Sequence, residues 1–284
     1  MHVATNQMRR EAAKRKLANQ QARRAEQAAR RRRIAVISSA AVVVVILVAV
    51  VALATVGGGS DDAPASAAPS DAATASSAVA QPAAGGPGTC AYPTDGSAAK
   101  QNTPPAAEGV SSEGTVSVAM ATSAGPIGLT LDRAQAPCTV NSFVSLAGQG
   151  YFDGTSCHRL TTGEGLKVLQ CGDPTGTGTG GPGYTISDEV PTTLAPSPSG
   201  GGMVIYPRGT IAMAKTAQPN SGGSQFFLVY ADSTLPPDYT VFGTIDDTGL
   251  ATIDGAAAAG ADDSNGAGDG KPNTPVEIES VMVT

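Results

Sequence analysis

The sequence contains no tryptophan, and aromatic residues make up only 4% of its 284 positions. Histidine occurs twice, at His2 and His158. Four cysteines are present, and no two of them form a Cys-x-x-Cys pair. So few soft ligands, so spaced, argue against a zinc enzyme, and no metal or cofactor is expected. Charged residues are sparse at 15%. What is plentiful is glycine, at 35 residues, and proline, at 20, a composition that points to linker as well as folded domain. The formal net charge of −6 conceals an asymmetry. Residues 1–33 hold eleven Lys/Arg and two Glu, whereas residues 34–284 hold seven Lys/Arg against twenty-two Asp/Glu. The two parts are suited to different surroundings. No aromatic or base-reading motif accompanies the basic run, so nucleic acid is not the expected partner.

The chain divides into four segments. Residues 1–33 are rich in Ala, Arg, Gln and Lys, which favour a helix, and they end in Arg30-Arg31-Arg32-Arg33. Such a segment sets membrane orientation and is attracted to anionic lipid at about 1 kcal/mol per basic residue near the surface. Residues 34–56 follow as 23 positions without a charge, long enough for a transmembrane helix. The positive-inside rule then places the N-terminus in the cytoplasm and the rest of the chain beyond a single-pass cell-membrane anchor. Ala52-Leu53-Ala54 resembles a signal-peptidase site, but the long basic lead and long apolar run favour an uncleaved signal-anchor. Residues 57–110 are an Ala/Ser/Pro/Gly-rich linker: up to about Gly88 there is too little apolar surface to offset chain entropy, and residues 89–114, with Cys90, Tyr92 and Pro104-Pro105, are transitional.

Residues 111–284 read as the folded domain. Val116, Val118 and Met120 alternate with small residues, Gly125-Pro126 signals a turn, and Ile127, Leu129 and Leu131 alternate again, predicting a β-hairpin. Pro137 suits the first turn of a helix that places Val140, Phe143, Val144 and Ala147 on one face. Short strands are expected over 156–160, 168–171, 209–214, 225–230, 241–245 and 276–283, with a second helix over 249–259. The pattern is mainly β, a barrel with helices at its ends.

Several blocks carry a resemblance. Cys157-His158-Arg159-Leu160, Leu169-Gln170-Cys171-Gly172-Asp173, Gly178-Thr179-Gly180-Gly181, Gly209 to Ala214, Gly223 to Val229 and Asp238 to Gly243 occur in order. Together they resemble the cyclophilins, the peptidyl-prolyl cis–trans isomerases, over residues 115–284. The whole layout is similar to the membrane-anchored cyclophilins of actinobacteria. The resemblance implies a closed eight-stranded antiparallel β-barrel capped by two helices, and proline-containing polypeptides as substrates. It implies catalytic roles for Arg159, Gln170 and Phe227. Val168, Ala214, Lys215, Gln225, Leu235 and Tyr239 would then bind substrate.

The chemistry needs little. Rotation about an Xaa-Pro bond is slow because the nitrogen lone pair is delocalised into the carbonyl. A fixed donor aimed at the prolyl nitrogen favours the twisted state, and an apolar pocket seats the ring. Arg159 would supply the donor, because a guanidinium is permanently charged and offers a rigid fork. His158 should point to the opposite face of its strand and be structural. Phe227 would floor the proline pocket and Leu235 would wall it. Departures from the family are equally specific. Lys167-Val168 stands where the family has Phe-Met, and Leu166 could shift to compensate. Thr234 replaces a tryptophan linked to cyclosporin binding, so weak binding of that drug is expected. Tyr239 replaces a histidine, and Lys215 an asparagine.

Cys90, Cys138, Cys157 and Cys171 lie beyond the anchor, where disulfides form, and four cysteines allow three pairings. Cys157 and Cys171 flank a strand hairpin and could cross-link it, leaving Cys90 for Cys138; Cys138 with Cys171 or with Cys157 stays open. A proline-peptide-binding or chaperone module with little turnover is the alternative to an isomerase. A hydrolase is disfavoured, because Ser224 lacks a Gly-x-Ser-x-Gly elbow and His158 is the one candidate base.

Overall fold

The structure, a computed structural model, describes residues 88–284. The basic segment 1–33, the expected transmembrane helix 34–56 and the first part of the linker lie outside the described residues. Among the described residues no helix is long and apolar enough to cross a membrane.

The domain opens with the expected hairpin, β1 (Thr115–Thr122) and β2 (Gly125–Asp132). Every second side chain of each strand is buried, as a half-covered sheet requires. Helix α1 (Pro137–Gly148) follows, with proline in its first turn. Its own N-cap position makes no side-chain bond; instead the Glu189 carboxylate accepts the amides of Cys138 and Thr139, each at 2.9 Å. Its buried face is Val140, Phe143, Leu146 and Ala147; the expected Val144 packs only at the margin. Phe143 stacks on Phe152 at 4.9 Å between ring centroids. Helix α2 (Asp247–Ala258) starts at Asp246, whose side chain accepts the Gly249 amide.

The remaining strands are β3 (Thr155–Ser156), β4 (Arg159–Thr161), β5 (Val168–Cys171), β6 (Val204–Tyr206), β7 (Thr210–Met213), β8 (Phe226–Val229), β9 (Ser233–Leu235), β10 (Val241–Ile245), β11 (Asp269–Gly270) and β12 (Glu277–Val283). Ten of the twelve strands form one antiparallel sheet in the order β11-β4-β5-β8-β7-β10-β2-β1-β12-β3, and β6 pairs separately with β9. The expected eight-stranded closed barrel is thus observed as a curled ten-stranded sheet with two helices. The count rises because one expected strand is interrupted at Cys157-His158, giving β3 and β4, and because β11 adds an outer edge. β3 lies at one end of the sheet and β4 beside the other, yet they are successive pieces of chain, so the sheet curls back on itself.

The middle strands are covered on both faces. All four residues of β7 and of β8 are buried. Ile211, Met213, Phe226 and Leu228 face the main core with Leu169 and Cys171. Ala212, Phe227, Val229 and Val168 face outward into a smaller cluster with Tyr206, Leu235 and Tyr239. The β6–β9 pair covers that outer face, which is where an apolar dent can form.

Residues 88–110, the last part of the expected linker, are fastened to the domain. Thr89 bridges Glu108, and the Cys90 amide donates to the Ala107 carbonyl at 2.7 Å. Disulfides join Cys90 to Cys138 and Cys157 to Cys171. No cysteine is free among the described residues.

Candidate active site

Register sets the site. Arg159 of β4 lies opposite Gln170 of β5, Gln170 opposite Phe227 of β8, and Phe227 opposite Ala212 of β7. Directly opposed residues share a face of a sheet. One row therefore carries a cation, an amide and a ring side by side on the outward face. The Cys157–Cys171 disulfide ties the two strands beside Arg159 and Gln170, one residue from Gln170 and two from Arg159.

A cavity of about 230 Å³ opens over this row. Of the nine predicted site residues, eight line it: Arg159, Val168, Gln170, Ala214, Lys215, Phe227, Leu235 and Tyr239. The ninth, Gln225, stands one hydrogen bond away. Phe227, only 5% exposed, forms the floor. Tyr239 meets it edge-on at 5.5 Å, and Tyr206 supports both from beneath. The Tyr206 hydroxyl accepts the Tyr239 amide at 3.1 Å, which fixes the loop that carries the wall. Leu166 also lines the cavity. Thr234 is not among the lining residues; its amide donates to the Gly165 carbonyl.

The polar side is a chain of hydrogen bonds. Asp269 of β11 accepts from Arg159 Nε at 2.9 Å and from Nη2 at 2.7 Å, a bidentate pair. Arg159 Nη1 donates to Gln170 Oε1 at 3.4 Å. Gln170 Nε2 donates to Gln225 Oε1, and Gln225 Nε2 to the Gly180 carbonyl, both at 2.9 Å. Gly180 is required here, because a Cβ would fall 2.0 Å from the Asp173 carboxylate. The hydrogen bond with Asp269 raises the Arg159 pKa further, and it holds the Asp269 carboxyl below its usual value. The guanidinium is thus a permanent cation with a fixed plane, and of its five N–H donors two stay uncommitted.

His158 lies off this row, against Gly178. Burial pushes its imidazole below the ordinary histidine value, so it is neutral at pH 7. Lys215 donates to Asp188 at 2.5 Å, and its charge is spent there. Among the described residues no cluster of three or more His, Cys, Asp or Glu is placed to hold a metal.

Sequence reasoning missed Asp269, Leu166 as a settled wall, and Tyr206. Asp269 is 110 residues from Arg159, and an Asp-Gly pair reads as a turn, so only the fold connects them. Tyr206 had a signal, a lone aromatic between Gly-rich and Pro turns, but its three-residue strand carries no periodicity.

Comparison with known proteins gives a consistent result. Residues 117–283 match the model of the family described as cyclophilin type peptidyl-prolyl cis-trans isomerase/CLD. A probable peptidyl-prolyl cis-trans isomerase B of Mycobacterium leprae is 55% identical over 198 residues, covering 68% of this chain and 66% of that protein. One of Mycobacterium tuberculosis is 59% identical over 170 residues, covering 59% of this chain and 54% of that protein. The chain thus spans between half and two thirds of the length of these relatives. A solved cyclophilin type isomerase of Cryptosporidium parvum aligns with 60% of this chain and 98% of its own, at 29% identity and a TM-score of 0.48.

Proposed function

Since the chain belongs to the cyclophilin-type peptidyl-prolyl cis–trans isomerase family, we propose that it accelerates rotation about Xaa-Pro bonds in exported polypeptides. The observation that carries this reading is the placement of the Arg159 guanidinium beside the Phe227-floored cavity. A proline ring seated on Phe227, between Leu235, Val168 and Tyr239, has its imide within reach of Arg159. As the bond twists, the lone pair localises on nitrogen, and a donor aimed at it binds the twisted form better than the planar one. The barrier is about 20 kcal/mol, and each 1.36 kcal/mol of preferential binding is worth about tenfold in rate. Gln170 and Gln225 hold the peptide backbone, and Ala214 and Lys215 border its path. No bond breaks and no proton need move, so neither a general base nor a metal is required.

The reading places the domain outside the cell membrane. It rests on the uncharged run 34–56 behind the basic segment 1–33, which faces anionic lipid.

The test is a protease-coupled isomerisation assay on the full chain. Arg159→Ala is expected to lower kcat/KM by about 100-fold or more, the usual effect of removing a transition-state donor. Wild-type protein that accelerates nothing would sink the enzyme. Proline peptides that bind without acceleration would point to a binding module, an alternative favoured by the two guanidinium nitrogens already held by Asp269.

A further inference from the structure

Beside the proline cavity lies a larger one, of about 470 Å³. Gln170, Ala214 and Lys215 line both, so side chains flanking a seated proline reach the second. One of its walls is Asp95, Gly96 and Ser97. Those residues precede the region 117–283 that matches the family model, so this wall is an addition to the family domain.

The added wall is rigidly mounted. Its strap is held by the Cys90–Cys138 disulfide. The Asp95 amide donates to the Gly183 carbonyl at 2.9 Å, the Ala99 amide to Gly181 at 2.8 Å, and the Thr185 amide to Pro93 at 2.9 Å. Gly183, at φ +80°, permits the approach, since a Cβ there would lie 2.8 Å from the Ala98 nitrogen. Tyr92 adds an edge-on contact with Tyr184 and a hydrogen bond to the Cys138 carbonyl.

Charge gives the cavity its sign. Two charged side chains line it, Asp95 and Lys215. Lys215 is nearly buried and neutralised by Asp188. The Asp95 carboxylate is exposed and accepts no hydrogen bond among the described residues. Behind the glycine wall sits a second carboxylate, Asp173, buried and held ionised by the Thr175 hydroxyl and by the amides of Thr175, Thr177 and Gly178. The domain around them carries seven Lys/Arg against nineteen Asp/Glu over residues 88–284.

We propose that this cavity is a subsite for a basic side chain, Lys or Arg, close to the proline of a bound polypeptide, with Asp95 as the specificity-determining carboxylate. The proposal rests on the reading that a proline occupies the neighbouring cavity.

The test uses the full chain and peptides with one Xaa-Pro bond, carrying Lys, Ala or Glu at successive positions on either side. Both kcat/KM and binding affinity are measured. At one position, Lys is expected to exceed Glu by about fivefold at low salt, the size of a partly exposed charge contact. The ratio should shrink at high salt, because the carboxylate faces solvent. Asp95→Asn should bring the Lys-to-Glu ratio near one, and Asp95→Lys should invert it. Equal handling of Lys and Glu peptides by a wild-type protein that turns over both overturns the subsite and spares the isomerase. A Lys preference in binding without turnover does the reverse. If no proline peptide binds, both fall.

Discussion

Arg159 differs from a freely solvated arginine in having its plane set by a partner, Asp269. A guanidinium that must aim one edge at a nitrogen gains from having its other edge fixed, since mispositioning by about 1 Å can cost on the order of 100-fold. Asp269→Ala should therefore lower kcat by about tenfold with little change in KM, and Asp269→Glu should restore part of it. Loss confined to KM would instead mark Asp269 as a substrate contact. Stability should change by less than about 1 kcal/mol, because the pair is partly exposed. The folded pKa of Asp269 is depressed, so the clamp is intact above the ordinary carboxylate value of 3.8 and is lost as pH falls through the lower folded value. At this scale the sequence was informative where motifs are contiguous. Arg159, Gln170, Phe227 and Leu235 were each singled out from their neighbours, and all four line the cavity. Asp269 could not, because its role exists only after β11 pairs with β4.

Elements were legible in proportion to their length. The eight-residue strands β1 and β2 and both twelve-residue helices show full periods, and their expected positions agree with the observed ones to within a few residues. The strands β6, β9 and β11, of three, three and two residues, carry no period and were not foreseen. Yet β6 and β9 cover the outer face of the sheet, and β9 brings Leu235 to the cavity. Composition likewise says little about how residues 88–110 are held. They are poor in large apolar groups, but a disulfide and a ladder of backbone bonds do not register in hydropathy. Cys90→Ser with Cys138→Ser should lower unfolding free energy by about 2–4 kcal/mol, the usual worth of a native disulfide. It should also erode the Lys-over-Glu preference, because Asp95 loses its mount, while kcat/KM for Ala peptides changes far less. Thermal denaturation and the peptide series on this one variant read the two effects separately. An unchanged midpoint would show that the backbone bonds hold the strap without the cross-link.

The whole chain is electrostatically split, with basic residues 1–33 on one side of an uncharged run and an acidic remainder on the other. An acidic domain is repelled by anionic lipid, and a basic segment is drawn to it, at about 1 kcal/mol per residue near the surface. In the proposed anchored chain both terms would favour one orientation: the arginine cluster against the cytoplasmic leaflet and the domain away from the opposite one. An acidic domain would also suit cationic clients, the same preference proposed for Asp95 in the second cavity, so long-range field and local contact would act in the same direction. The four cysteines fit that placement, since paired thiols persist outside the reducing cytoplasm. The full chain is therefore expected to stay with the membrane fraction after alkaline extraction, and deletion of residues 34–56 should release it. Protease added to intact cells should remove the domain while leaving an epitope before residue 30 intact. Recovery of the full-length chain in the soluble fraction at its intact mass would overturn the anchor. Recovery of a soluble domain trimmed after Ala54 would show cleavage at Ala52-Leu53-Ala54, leaving the orientation of the domain unchanged and removing the tether.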